Sequence, residues 1–518
     1  MFASKFGLRT FAAGMLAAIG LLAQPAAAPC WGQTSQLSPE DEAALAEMAA
    51  RREATRPDRE AGPRSARRWE SEEELPRPRE DFLPARRFER REDESRQENQ
   101  DELKPPRKEP AQEPPPVEED QEEEKEEKKW YDKLGIRGYG QFRYTSLVFD
   151  EDGSAPMDHS NDSSVAKNQE FFIRRLRVAL YGDVSDRLYL YFQPDFVSTP
   201  DGSVNAIQFA QIRDFYGDLY LDDSKVHRLR IGQSKVPYGW ENMQSSQNRI
   251  SLDRADALNS GLRNERDLGV FYYWTPEWAQ ETFRFLLDEG YKGSGNFGVF
   301  GIGVYNGQGG SMRELNDELH LVARVTLPYT LSNGQIIETG MQGYTGQYVV
   351  SGSPILPLGI GPAITPDGTR GQPSSPNGHL DQRLAWSFNY YPMPFGVQAE
   401  YTIGRGPQLN AAQTAVERGD LHGGYIMLLY RLKTACWGEF FPYARYHYYE
   451  GGYKTAANAP YASISEWHLG VEWQIRKECE LVCEYLITDR TNLRAQSTGE
   501  SYGQFVGHLA RLQFQINF

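Results

Sequence analysis

Residues 171–196 read FFIRRLRVALYGDVSDRLYLYFQPDF, and this stretch decides the fold. Leu176, Val178 and Leu180 alternate with Arg175, Arg177 and Ala179. Apolar residues at every second position mark a β-strand, because successive side chains of a strand point to opposite faces. Arginine on the second face means that the strand meets two solvents. Turns at 183–186 and 222–225 join this run to further runs of the same kind. Strands of about ten alternating residues match the segments of outer-membrane barrels, whose apolar face meets lipid while the polar face lines water. In a soluble sandwich the same apolar face would point to a core.

Upstream, the chain opens with a secretory signal, which we place at residues 1–28. Lys5 and Arg9 form its positive region, residues 11–23 its apolar region and Ala26, Ala27 and Ala28 its small-residue cleavage site. Pro29 stands where a lipoprotein signal needs a small residue before Cys30, which argues against lipidation. No run of about eighteen apolar residues exists anywhere, so a helical membrane protein is excluded.

Residues 29–133 are rich in Pro, Glu and Arg and poor in aliphatic residues. Such a composition buries too little apolar surface to offset the entropy of ordering, so a disordered periplasmic segment is expected. It reads as a poorly constrained linker, with a periplasmic spacer or cell-wall contact as the functional alternative. The net charge of −16 divides evenly: residues 1–134 hold 23 Lys and Arg against 31 Asp and Glu, leaving −8 for the remainder. A nucleic-acid binder needs a concentrated basic face, and the composition gives none.

From residue 134 to 518 the pattern is strands throughout: 134–149, 170–183, 187–197, 206–221, 225–234, 266–288 (interrupted near 275–280), 296–305, 318–329, 335–350, 380–391, 395–405, 420–433, 436–450, 463–477, 479–490 and 504–518. Sixteen is an even number, as a closed antiparallel sheet with both chain ends on one side requires. The connections alternate short and long, the long ones being 150–169, 235–265, 351–379, 406–419 and 451–462. Near the end Leu512, Phe514, Ile516 and Phe518 alternate with Arg511, Gln513, Gln515 and Asn517. The expected fold is therefore all-β, a 16-stranded antiparallel transmembrane β-barrel. In lipid every backbone polar group needs a partner, and only a closed sheet leaves no edge. Cys436 and Cys479 fall near turns at one end, where either a disulfide or two unpaired thiols would fit.

The blocks FFIRRLRVALYGDVSDRLYLYFQPDF, IRDFYGDLYLDD, LRIGQSKVPYGWEN, RDLGV and GVYNGQG, in this order, resemble the phosphate-selective porins O and P. The resemblance spans about 134–518. It implies an outer-membrane trimer whose pore is narrowed by inward-folded loops and whose arginine ladder leads anions to a central site. Arg174 and Arg175 match the family's paired arginines, and Ser245 and Ser246 stand where the family places hydroxyls that help hold the anion. The family's lysine just before those serines has no counterpart here, where Asn242 and Met243 stand instead.

An anion pore needs charged donors that replace lost hydration, and arginine presents paired N–H groups on an always-charged plane. By alternation Arg175 and Arg177 face the lumen, while Arg174 points outward or sits at the rim. Arg137, Arg143, Arg228, Arg230, Arg284, Arg324 and Arg511 occupy polar faces of other strands. The 235–265 connection is the candidate constriction, with Lys235, Ser245, Ser246, Arg249, Arg254 and Arg263. Loops of that length are functional or disordered. The anion path is therefore expected along Arg174, Arg175, Arg177, Arg228, Arg230, Lys235, Ser245, Ser246, Arg249, Arg254 and Arg263. A general porin without a specific anion site is the alternative, because Asp214, Asp218, Glu338, Glu400, Glu472 and Glu484 supply opposing charges. A structural or adhesive barrel is more distant. No nucleophile motif, metal-ligand spacing or cofactor fingerprint occurs, and His468 and His508 read as lumen-wall residues.

Overall fold

Strand β1 (Leu134–Asp150) pairs on one side with β2 (Glu170–Ser185) and on the other with the last strand, β16 (Gly499–Asn517). That double pairing closes the sheet. The structure, a computed structural model, describes residues 130–151, 156, 169–198, 208–310, 312–352, 377–411, 413, 415–496 and 499–518. The signal at 1–28, Cys30, residues 29–129 and most of the connections at 150–169 and 351–379 lie outside the described residues. Residues 130–133, assigned above to the disordered segment, form a 3-10 turn leading into β1.

Between these ends run β3 (Leu188–Ser198), β4 (Gln208–Tyr220), β5 (His227–Lys235), β6 (Arg266–Trp274), β7 (Phe300–Tyr305), β8 (His320–Thr330), β9 (Ile336–Tyr348) and β10 (His379–Tyr390). They are followed by β11 (Phe395–Leu409), β12 (Val416–Tyr430), β13 (Glu439–Gly452), β14 (Tyr461–Arg476) and β15 (Cys479–Gln496). Leu432–Lys433 briefly continues β12 beside β13. Each strand is antiparallel to its sequence neighbours around the ring, so the chain forms a closed 16-stranded barrel.

The period-two pattern has its physical cause in this closure. On β8 the outward Leu321, Val325, Leu327 and Tyr329 are exposed, while His320, Val322, Arg324 and Thr326 are buried inside. The apolar belt faces outward and charge is enclosed, the reverse of a soluble fold. Among the described residues no helix is long and apolar enough to cross a membrane.

Two expectations are corrected. Residues 266–288 are not one interrupted strand: β6 ends at Trp274, and α3 (Glu277–Asp288) follows the two one-turn helices of the 236–265 connection, α1 (Trp240–Met243) and α2 (Asp256–Asn259). Ala279, Phe283 and Leu286 recur at helical rather than strand spacing and bury one face. Arg284 therefore lies on an exposed helix surface and not on a barrel wall. The strict alternation of connection lengths also fails. β11 and β12 extend past 406–419, pairing Leu409 with Val416, and the 275–299 connection is long although it stands at the short-turn end. Of the two states left open for Cys436 and Cys479, the structure has the unpaired thiols, and Cys483 is free as well.

Candidate functional site: a cationic chamber beside an inward loop

After Lys235 the chain turns into the barrel. Residues 236–265 carry α1, α2 and a 3-10 turn at Arg263–Glu265. Val236, Tyr238, Ile250, Ala257, Leu258 and Leu262 pack against inward-facing Phe271, Tyr273, Tyr344, Tyr425, Phe441 and Tyr443. Burial of this apolar cluster holds the loop against the wall. Carboxylates fix its ends: Glu400 accepts the N–H groups of Trp240 at 2.6 Å and Glu241 at 2.8 Å. Asp253, farther along, is held by Arg143 at 3.1 Å and by Arg511.

The inward face of β1–β5 and the start of β6 is predominantly polar. A cavity of about 270 Å³ lies there between the wall and the loop. Its lining includes Arg137, Arg177, Arg230, Lys235 and Arg266 but only one carboxylate, Asp214, together with Tyr189, Tyr191, Tyr216 and Ser245. Behind the guanidiniums stand further acids. Arg177 donates to Asp195 at 2.8 Å, Arg230 grips Asp218 with two bonds at 2.7 and 2.8 Å, and Arg266 meets Asp214 at 2.9 Å. Arg213, Arg254 and Arg266 converge on Glu265 at 3.4, 3.2 and 2.9 Å. Burial alone would raise the Glu265 carboxyl, but those guanidiniums outweigh it and hold it well below the usual carboxylate range. The tyrosine rings also support the cations, with Arg230 stacked 3.8 Å over Tyr216.

Two β-bulges add arginines that alternation sends elsewhere. On β2, Arg175 pairs with Gln141 and Ile173 with Phe142, leaving Arg174 as the extra residue. Its guanidinium lies within electrostatic reach of Arg175, Arg143 and Asp253, so it serves the lumen rather than the outside or the rim. On β4, Asp214 pairs with Gln193 and Ile212 with Pro194, so Arg213 bulges and is buried beside Asp214. A bulge inserts one residue and re-aims side chains.

The residues named from sequence divide into groups. Arg177, Arg230, Lys235 and Ser245 line the chamber. Ser246 sits against it, its hydroxyl 3.5 Å from Arg177 and 3.4 Å from Arg254. Arg175 bonds Gln141 at 2.9 Å on the wall above, and Arg228 reaches the Asn296 carbonyl at 2.7 Å below. The loop cations mainly hold the loop itself. Arg254 bonds the carbonyls of Glu241 and Gln244, and Arg249 those of Ser251 and Leu252. Nη1 of Arg249 is nevertheless buried with no acceptor among the described residues. Burial and the Arg175 charge lower this guanidinium to about 10, still charged at neutral pH. Arg263 is directed away from the chamber, to the Thr455 carbonyl at 2.6 Å.

Sequence reasoning missed Arg213, Arg266, Asp195 and Glu265. The bulge hides the first, and nothing local marks the loop-strand junction that brings Glu265 and Arg266 inward. His508 is corrected too: it lies on the outward face and bonds the Tyr485 hydroxyl at 2.7 Å.

One cluster has metal-ligand spacing, His447, Glu466 and His468, all buried. Its hydrogen bonds oppose coordination. Nε2 of His447 accepts the Asp256 N–H at 2.9 Å, so Nδ1 carries the proton and faces Glu466. Glu466 is moreover engaged by Arg490 and Thr488. The cluster works as a charge network that ties loop to wall.

No protein among the curated proteins compared matches the chain. Among solved structures, OmpT of Vibrio cholerae in its trimer form aligns at 12% identity and TM-score 0.44, covering 74% of this chain and 99% of that one. The outer-membrane channel DcaP of Acinetobacter baumannii aligns at 11% identity and TM-score 0.42, with 74% and 97% covered. OmpF of Salmonella typhi, in complex with daunomycin, aligns at 12% and 0.43, with the same coverage. The family model of phosphate-selective porin O and P matches residues 156–518, and the chain belongs to that family, as an outer-membrane channel.

Proposed function

We propose that the channel is anion-selective, prefers phosphate, and works as a homotrimer that passes solutes by diffusion. The observation that carries this reading is the chamber lining, five cations against the single carboxylate Asp214. A phosphate entering so small a space sheds water and needs donors in exchange, and Arg177, Arg230, Arg266 and Lys235 offer them with the Ser245 hydroxyl. Lys235 also answers the departure at Asn242 and Met243. Its ammonium lies 2.7 Å from the Met243 carbonyl and 2.9 Å from that of Gln244, so a lysine stands beside the serines although it comes from the strand.

The carboxylates behind the arginines moderate the site. A pore must bind its ion weakly enough to release it, and Asp195, Asp214 and Asp218 partly neutralise the field. The same carboxylates favour a second reading, a general porin in which the arginines only set a transverse field. Trimeric assembly is what the resemblance to the family implies. Residues 29–129 would then extend into the periplasm within reach of the cell wall. The chemistry fits a channel rather than an enzyme.

Phosphate block of chloride current in planar bilayers tests the reading. Block at micromolar phosphate that Arg177→Ala weakens supports the site. A current indifferent to phosphate in both proteins leaves the general-porin reading.

A further inference from the structure

The connection between β6 and β7 enters the lumen from the end opposite to the inward loop. Leu286 of α3 packs with Trp240 of that loop and with Ile336 and Tyr391 of the wall. Residues 289–298 then cross the barrel. Lys292 donates to Glu472 on β14, eight strands on from β6 in a ring of sixteen and so on the opposite wall. The Lys292 carbonyl accepts from Gln244 at 2.7 Å, and the Asn296 carbonyl accepts from Arg228 of β5 at 2.7 Å. Gly298, at φ 78°, makes the return to β7, where a Cβ would stand 2.4 Å from the Phe300 carbonyl oxygen. The segment is a strap anchored on both walls and to the loop.

Beyond the strap a second cavity, of about 450 Å³, opens at the short-turn end. It and the cationic chamber share three lining residues: Gln247 and Asn248 of the inward loop and Leu287 of α3. The geometry points to this trio as the exit aperture of the pore, with Leu287 as the residue that sets its width. Gln247 is fixed by Asn517 of β16, to whose side-chain oxygen its amide donates at 3.0 Å, and Leu287 by the buried face of α3. The aperture carries two amides and a leucine and no charge. Size is therefore limited at one level and charge selected at another. The solute class that passes is small ions and hydrophilic molecules, whatever their sign, once they have left the chamber.

Leu287 is exposed, so its replacement removes little packing. In the full-length protein, Leu287→Ala should raise single-channel conductance at least about twofold, and Leu287→Trp should lower it by a similar factor, because pore diameter at the constriction limits flux. Reversal potential in a salt gradient should stay at its wild-type value in both. Liposome swelling with neutral sugars should follow the same order. Wild-type conductance in both variants would overturn the proposal, and so would a changed reversal potential without a changed conductance. The outcome is separable from anion preference, since a non-selective pore would still widen and narrow at Leu287.

Discussion

The Lys235 ammonium donates to the Met243 carbonyl oxygen over 2.7 Å, tying the last residue of β5 to the end of α1. That one bond, with its neighbour to Gln244, sets where the loop turns and hence where Ser245 stands relative to Arg177. A charged hydrogen bond of this kind contributes about 1.5–3 kcal/mol. We expect Lys235→Met to weaken phosphate block roughly tenfold or more, in line with about 1.4 kcal/mol per factor of ten. Concentration dependence of the block in single-channel records measures it.

Asp195 holds Arg177 at 2.8 Å and approaches Arg213 at 3.9 Å. Asp195→Asn should move the reversal potential further toward that of chloride, because Arg177 loses its carboxylate partner and Arg213 one of two. Its cost to stability should be on the order of 3–5 kcal/mol, as for other broken buried pairs. A urea unfolding series in vesicles reads the second effect. An unchanged reversal potential would mean that the pair lies off the ion path.

Glu265 gives an acid dependence with a definite sign. Its folded carboxyl is held below the unfolded value by Arg254, Arg213 and Arg266, which outweigh burial. The contribution is fully present above about pH 4.3, the unfolded value, and is lost as pH falls below it. Urea midpoints should therefore drop on acidification below that point, and the drop should be smaller in Glu265→Gln. Equal acid sensitivity of the two proteins would remove Glu265 from the account.

Outside the pore, Leu469 lies on the outward face of β14 between Trp467 and Trp473, which also face outward. Leu469→Arg should cost about 2–4 kcal/mol, the value for arginine at the lipid midplane of a barrel. His468→Gln, one residue away but inward, should show no such lipid-dependent cost. Unfolding in bilayers of different thickness separates the two.

Alternation along the chain made sixteen strands and most of their inward and outward faces legible, His508 excepted, since period two is a local property. What escaped was set by tertiary contact. Phe283 and Leu286 are helical in α3 because the lumen offers Trp240, Ile336 and Val299 to cover them, and no strand pattern announces that. Arg174 and Arg213 face inward through bulges that depend on the partner strand's register. In the site, Arg177, Arg230, Lys235 and Ser245 were legible because residue type and face together implied a role. Arg249, Arg254 and Arg263 had the right type, yet the carbonyls they hold became known only with the loop folded.

Whether the chamber lined by Arg177, Arg230, Lys235 and Arg266 selects anions is read from the reversal potential of the reconstituted channel in a potassium chloride gradient. An anion-selecting chamber gives a potential close to that of chloride, falling toward zero in Arg177→Ala. A potential near zero or of cation sign in the unaltered protein would contradict it.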